Sequence, residues 1–206
     1  MSVRDSGDIL NDVEASLTAA WKVDGSQFKD ADWKALYFDA IAAPCFDRGY
    51  SVVCTLTERR DHRPRIANTP AFDRHRHLFA PKEQALDLLA VDRTRLIPIL
   101  GAEIEWSANR QHRIPENEEV VDKLWGEKVH QVGYLDEILY DLGRLLVFNP
   151  PNTALVAQPS RKAGPGPVLN EVQLMYDRMS SERGKGKLLV MVEGGLQPLF
   201  KRLPAL

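Results

Sequence analysis

Three carboxylates near the middle of the chain form the residue pattern with the most chemistry in it: Asp87, Glu103 and Glu105. Asp87 lies near the start of an apolar run, Ala85 to Val91, and the two glutamates lie near the end of a second, Leu96 to Trp106. Asp92-Arg93-Thr94-Arg95 between the runs reads as a hairpin turn. Side chains alternate along a strand, so Glu103 and Glu105 share one face while Ile104 turns to the core on the other. An antiparallel return then brings Glu103 to Glu105 beside Asp87. Three carboxylates on one patch of a buried sheet repel each other. A hard cation with oxygen ligands, Mg²⁺ or Mn²⁺, neutralises such a cluster. Held this way, it lowers the pKa of a bound water and stabilises charge on a phosphoryl oxygen. The competing reading is a surface hairpin whose acids face water. Glu-x-Glu alone favours that second reading; the Asp, the short turn and the flanking apolar strands bring the two level.

The elements that would position these acids follow from periodicity. Asp8 to Trp21 places Ile9, Leu10, Val13, Leu17, Ala20 and Trp21 at helical spacing. A second helix starts near Asp30 or Asp32, both good N-caps, and runs through Trp33, Leu36, Tyr37, Ala40 and Ile41. Pro44 predicts a kink or an early end there, and Arg48-Gly49 closes the helix. Tyr50 to Thr57 is rich in β-branched residues and reads as a strand, as do Ala85 to Val91 and Leu96 to Trp106, with Gly101 marking a bulge or bend. Helical spacing is expected from Glu118 to Val129 and again from Tyr134 to Leu146, before the breaker Asn149-Pro150-Pro151-Asn152. Thr153 to Ala157 is a strand, Val168 to Met179 a helix and Lys187 to Val192 a final buried strand. Continuous apolar strands between helices imply a sheet covered on both faces, an α/β sandwich.

With those elements in place, Asp87-Leu-Leu-Ala-Val, a turn, and a strand ending Glu103-Ile-Glu105 resemble the signature of the PD-(D/E)xK nuclease superfamily. Its shared core runs helix, three strands, helix, strand, the order read from Asp32 to Ala157. The resemblance implies a restriction-endonuclease-like three-layer sandwich, a mixed central sheet with helices on both faces. It divides the single domain 1–206 into an N-terminal helical arm (1–29), a nuclease-like core (30–157) and a C-terminal helix and strand completing the sheet (158–206). It implies that Asp87 and Glu103 hold Mg²⁺ or Mn²⁺, with the backbone carbonyl of Ile104 as a further ligand. It also implies that Glu105 occupies the place where the family usually has a Lys that orients or activates water. Leu86 stands where the eponymous Pro would be. Asp92 competes for the place of the first acid, but its context is turn chemistry. Asp39, Glu14 and Glu58 are further acids for a role that some members fill from the leading helix. The implied activity is hydrolysis of phosphodiester bonds, in DNA before RNA, with a homodimer if the target is a symmetric duplex site. The alternative is a catalytically silent module of the same fold that binds nucleic acid or a protein partner.

Composition narrows the rest. Of 206 residues, 44% are apolar and 27% charged, the mix of an ordinary globular chain rather than of a collagen, coiled coil or disordered tract. Lys plus Arg number 27 against 29 acids, a net charge of −2, so the protein is no basic nucleic-acid coat. Between Glu58 and His77, however, six arginines face three acids. Arg59, Arg60, Arg63, Arg74 and Arg76 are the candidate nucleic-acid contacts, since Arg can grip phosphate bidentately or read guanine; a solvated loop is the plain alternative. A second basic stretch, Arg178, Arg183, Lys185 and Lys187, is explained in part by the preceding helix dipole. His75-Arg-His77 beside Asp73 could hold zinc but reads better as a polar loop. Two cysteines, Cys45 and Cys54, build no disulfide framework, and no apolar run is long enough to span a bilayer. A cytoplasmic location without membrane partners is the expectation. The absence of P-loop, dinucleotide, Gly-x-Ser-x-Gly and His-Glu-x-x-His motifs leaves kinase, dehydrogenase, serine-hydrolase and zincin readings without support.

Overall fold

Asp8 opens the first helix, accepting the Leu10 N–H at 3.2 Å and so satisfying one of the unpaired donors at a helix start. In the computed structural model, the described residues are 8–28, 30–54, 86–106, 119–121, 128–130, 135–158, 165–183, 186–193 and 197–204. They form α1 (Ile9–Trp21), α2 (Asp30–Asp47), β1 (Ser51–Cys54), β2 (Leu88–Val91), β3 (Pro98–Glu105), β4 (Glu119–Val121), β5 (Lys128–His130), α3 (Leu135–Phe148), β6 (Asn152–Ala157), α4 (Pro165–Arg183), β7 (Lys187–Val192) and β8 (Leu199–Leu203).

Six strands make one open mixed sheet in the order β1-β2-β3-β6-β7-β8, and β4 pairs with β5 as a separate antiparallel ladder. β1, β2 and β3 are antiparallel neighbours, β3, β6 and β7 run parallel, and β8 returns antiparallel to β7. Side-chain alternation splits the core in two. Val52, Leu88, Ala90, Leu100, Ala102, Ile104, Trp106, Ala154, Val156, Leu189 and Met191 face α1 and α2. Leu89, Val91, Leu155, Ala157, Leu188, Val190 and Val192 face α3 and α4. The protein is thus a mixed α/β fold with helices on both faces of the sheet. α1 is bound to its neighbours by polar ties as well: Asp12 pairs with Arg48, Asp8 with Lys187 at 2.9 Å and Glu14 with Arg202 at 2.7 Å.

Several local expectations need correction. Pro44 does not end α2, which runs three residues further. A proline loses its own N–H bond and crowds the carbonyl four residues before it; the buried Ile41, Ala42 and Cys45 hold the helix to the core across that point. The helix closes at Arg48-Gly49, as expected: Gly49, with a φ of +80°, makes the C-terminal turn, with the Gly49 N–H on Phe46 O and the Tyr50 N–H on Cys45 O. Gly101 marks no bulge. It pairs regularly with Leu89, and the register slips between Ala90 and Val91, opposite Ile99. Gly101 is needed for space: a Cβ there would lie 2.9 Å from Pro150 Cγ and 3.0 Å from Leu86 Cδ1. The helix expected over Glu118 to Val129 is absent from its described residues, which form β4 and β5, where Val120 and Val121 pair with Val129 and Lys128. β8 is an additional strand, and α4 is longer than expected at both ends, opening on Pro165. Proline suits a first helical turn, where its missing N–H has no intrahelical partner. No helix among the described residues is long and apolar enough to cross a membrane.

Candidate active site

Asp87 sits one residue before β2, and Glu103 lies on β3 directly beyond the last ladder pair, Leu88 with Ala102. The two acids are joined reciprocally through the backbone. The Asp87 N–H donates to Glu103 Oε2 at 3.1 Å, and the Ile104 N–H donates to Asp87 Oδ2 at 3.0 Å. A residue's N–H and C=O leave the same edge of a strand, so the Ile104 carbonyl also faces the side on which Asp87 stands. Glu105, next on the same face as Glu103, is partly exposed at the strand end. Its carbonyl takes the Gln158 N–H at 2.8 Å, which carries β6 one residue past the ladder.

Asp92 has a different job. Its Oδ1 accepts the Thr94 and Arg95 N–H groups, both at 2.8 Å, and the Thr94 hydroxyl at 2.6 Å, so it builds the β2–β3 turn. Trp106 turns away from the acids, on the face of Ile104, and packs at a tilt against Trp33 and Tyr37 of α2.

Three residues not singled out from the sequence complete the cluster. Lys34, on α2, places Nζ 3.0 Å from Asp87 Oδ2. Asp141 and Arg144, on α3, come from the opposite layer: Arg144 Nη2 lies 2.6 Å from Asp141 Oδ1 and 3.0 Å from Glu103 Oε1. Asp141 carries a signal that was legible, because it sits on the buried stripe of Ile138, Leu142 and Leu145, where a carboxylate is out of place. Lys34 carries none, since a lysine on a helix is ordinary.

Electrostatics at the cluster are dominated by burial. Glu103 has no exposed surface. Desolvation, reinforced by the charges of Asp87 and Asp141, pushes its carboxyl up to about 10 against the pull of Arg144 and the Asp87 N–H. Among the described residues its Oε1 accepts no hydrogen bond, although the Arg144 guanidinium is close. Burial likewise raises Asp141 to about 7, with Arg144 opposing and Asp87 and Glu105 adding to the rise. At Lys34, burial works against the ammonium, but Asp87, then Glu105 and Asp141, outweigh it and raise its pKa. Arg144 is raised for the same reason: Glu103 and Asp141 overcome its desolvation.

Asp87, Glu103, Glu105 and Asp141 therefore act on one another at a single edge, the carboxyl end of the parallel strands β3 and β6, with Lys34 and Arg144 among them. Ligands in open α/β sheets bind at such an edge. Among the described residues, no group of three or more His, Cys, Asp or Glu side chains is arranged to hold a metal ion. Asp87 and Glu103 instead have cations for neighbours. Arg59, Arg60, Arg63, Arg74 and Arg76, together with Glu58, His75 and His77, lie outside the described residues. No protein-family model matches the chain, and no curated protein and no solved structure matches it either.

Proposed function

We propose that the protein is a divalent-metal-dependent nuclease that hydrolyses phosphodiester bonds, in DNA before RNA. The observation that carries this reading is the reciprocal joining of Asp87 and Glu103 through the β2 and β3 backbones at the carboxyl end of the parallel strands, with Glu105 and Asp141 acting on the same cluster. Lys34 and Arg144 lie among these carboxylates. The donors fit a divalent ion, being hard oxygens throughout. Glu103 Oε1, buried, accepts no hydrogen bond among the described residues and has Arg144 Nη2 3.0 Å away. The order α2-β1-β2-β3-α3-β6, with β4–β5 inserted, and the parallel pairing of β3 with β6 agree with the restriction-endonuclease-like core that the acid pattern resembles.

Asp87 and Glu103 would hold Mg²⁺ or Mn²⁺, with the Ile104 carbonyl on the same side. The ion supplies Lewis acidity toward a phosphoryl oxygen and a bound water of lowered pKa. The chain supplies the rest. The hydrogen bonds between Asp87, Glu103 and the β2 and β3 backbones fix both carboxylates before substrate arrives. Glu105, partly exposed beside them, orients the attacking water and accepts its proton for in-line attack on phosphorus. The test is cleavage of supercoiled plasmid, single-stranded DNA and RNA with Mg²⁺ or Mn²⁺, run beside Glu103→Ala. Cleavage by the parent and a loss of orders of magnitude in the variant is the expected outcome; equal cleavage by both overturns the assignment.

A second reading, a non-catalytic module that binds nucleic acid or protein, is favoured by one observation: Lys34 and Arg144 already pair with both acids. It requires that no Mg²⁺ or Mn²⁺ affinity depend on Glu103.

A further inference from the structure

We propose that Tyr140 is a stacking platform for a nucleobase of a single-stranded polynucleotide whose backbone passes the Asp87–Glu103 site. The course of the strand rests on the nuclease reading above, whereas the platform itself depends on no metal ion and on no charge state of the acids. Tyr140 lies on α3, one residue before Asp141 and one turn before Arg144. Residues four apart share a helix face, and the Arg144 guanidinium carbon lies 5.3 Å from the centre of the Tyr140 ring. Arg144 Nη2 is in turn 3.0 Å from Glu103 Oε1 and 2.6 Å from Asp141 Oδ1. A single guanidinium therefore separates the ring from the buried acid, a gap that one nucleotide spans from its phosphate to its base.

Exposure marks the ring as a contact surface. Tyr140 is the most exposed large apolar side chain among the described residues, at 59%, while Ile138, Leu142 and Leu145 of the same helix are fully buried. A base laid on the ring removes apolar surface of both partners from water. The ring is also held in advance. It stands on a helix, has two side-chain torsions to fix, and is oriented by the neighbouring cation, so little freedom is lost on binding. Asp141 and Glu103 steady that cation in turn. Every base has a π-face, so such a platform supplies affinity without reading sequence. A base inside a duplex has its faces covered by its neighbours, and the platform therefore favours an unpaired strand over an intact duplex.

The experiment measures binding of the full chain to a labelled oligodeoxynucleotide of about eight residues, within the usual range of single-strand site sizes. An abasic chain of the same length and charge and a duplex of the same sequence run beside it. Each is titrated in chelator and again with Ca²⁺ to slow turnover. The parent should bind the base-bearing single strand more tightly than either comparison probe. Tyr140→Leu should weaken that binding roughly tenfold and leave the abasic chain unaffected, while Tyr140→Phe and Tyr140→Trp should keep it. Phe148, 37% exposed and two turns further along α3, is the control aromatic, and Phe148→Leu should bind as the parent does. A parent that binds no single strand, or binds it no better than the abasic chain, overturns the inference. So does a folded Tyr140→Leu variant with parental affinity, or an equal loss in Phe148→Leu. Cleavage that depends on Glu103, with a Tyr140→Leu variant that binds like the parent, overturns this inference alone. Binding that depends on Tyr140 without any cleavage that depends on Glu103 overturns the nuclease reading and upholds the platform.

Discussion

Glu103→Gln tests the electrostatics of the cluster without removing its volume. In the unfolded chain Glu103 loses its proton near 4.5, whereas burial among Asp87 and Asp141 holds the proton in the folded chain up to about 10. Between those values the folded state binds more protons than the unfolded state, so stability falls as pH rises. The loss begins near 4.5 and is complete only near 10. Each pH unit within that window costs about 1.4 kcal/mol, so at pH 7 the carboxyl costs the metal-free fold up to about 3 kcal/mol. Glutamine is neutral throughout and can still accept the Asp87 N–H. The variant should therefore be more stable than the parent at pH 7 by up to that amount. Asp141 contributes a slope of the same sign, but its window closes near 7. Urea unfolding from pH 7 to 9 in a chelator thus isolates Glu103: the parent should lose about 3 kcal/mol across those two units relative to the variant. Saturating Mg²⁺ should close most of that gap. At a hundred times its dissociation constant, the ion adds about 2.7 kcal/mol to the parent and little to the glutamine variant. Parallel stability curves for parent and variant, or a glutamine variant less stable at pH 8, would refute the reasoning.

Three further outcomes follow from particular contacts. Mg²⁺ binding at pH 7 should release protons from the parent, because Glu103 and Asp141 must ionise around the ion, and fewer from Glu103→Gln; calorimetry in buffers of different ionisation enthalpy measures the number. Gly101→Ala should destabilise the protein by roughly 1–3 kcal/mol through overpacking against Pro150 and Leu86, read by urea unfolding; a neutral effect would mean that this face of β3 has room. Asp92→Ala should lower the melting temperature slightly by weakening the β2–β3 turn and leave cleavage at the parental rate; loss of cleavage in a folded variant would return Asp92 to the site.

The strands that form the site were legible because both sheet faces are covered, so β2, β3, β6 and β7 read as unbroken apolar runs. β8 is an edge strand, half exposed along Leu199 to Arg202, and its mixed Leu-Phe-Lys-Arg-Leu composition has neither an apolar run nor alternation to betray it. β4 and β5 are three residues each, too short for a period of two to separate from a helical one. At the site, the reciprocity of Asp87 and Glu103 could be anticipated from hairpin geometry alone. The cations could not. Lys34 is 53 positions before Asp87, and its relation to the acid depends on how α2 packs on the sheet, which no local pattern encodes. Arg144 was closer to view, because Asp141 on a buried helical face demands a partner within one turn.

The most direct test of the account is equilibrium binding of Mn²⁺, followed by electron paramagnetic resonance, to the parent, Glu103→Ala and Asp87→Ala. The account predicts a site in the parent that strengthens from pH 6 to pH 8, as Glu103 and Asp141 give up their protons, and is lost in both variants. A folded parent that binds no Mn²⁺, or whose binding is untouched by either substitution, would contradict the claim that these acids form a divalent-cation site.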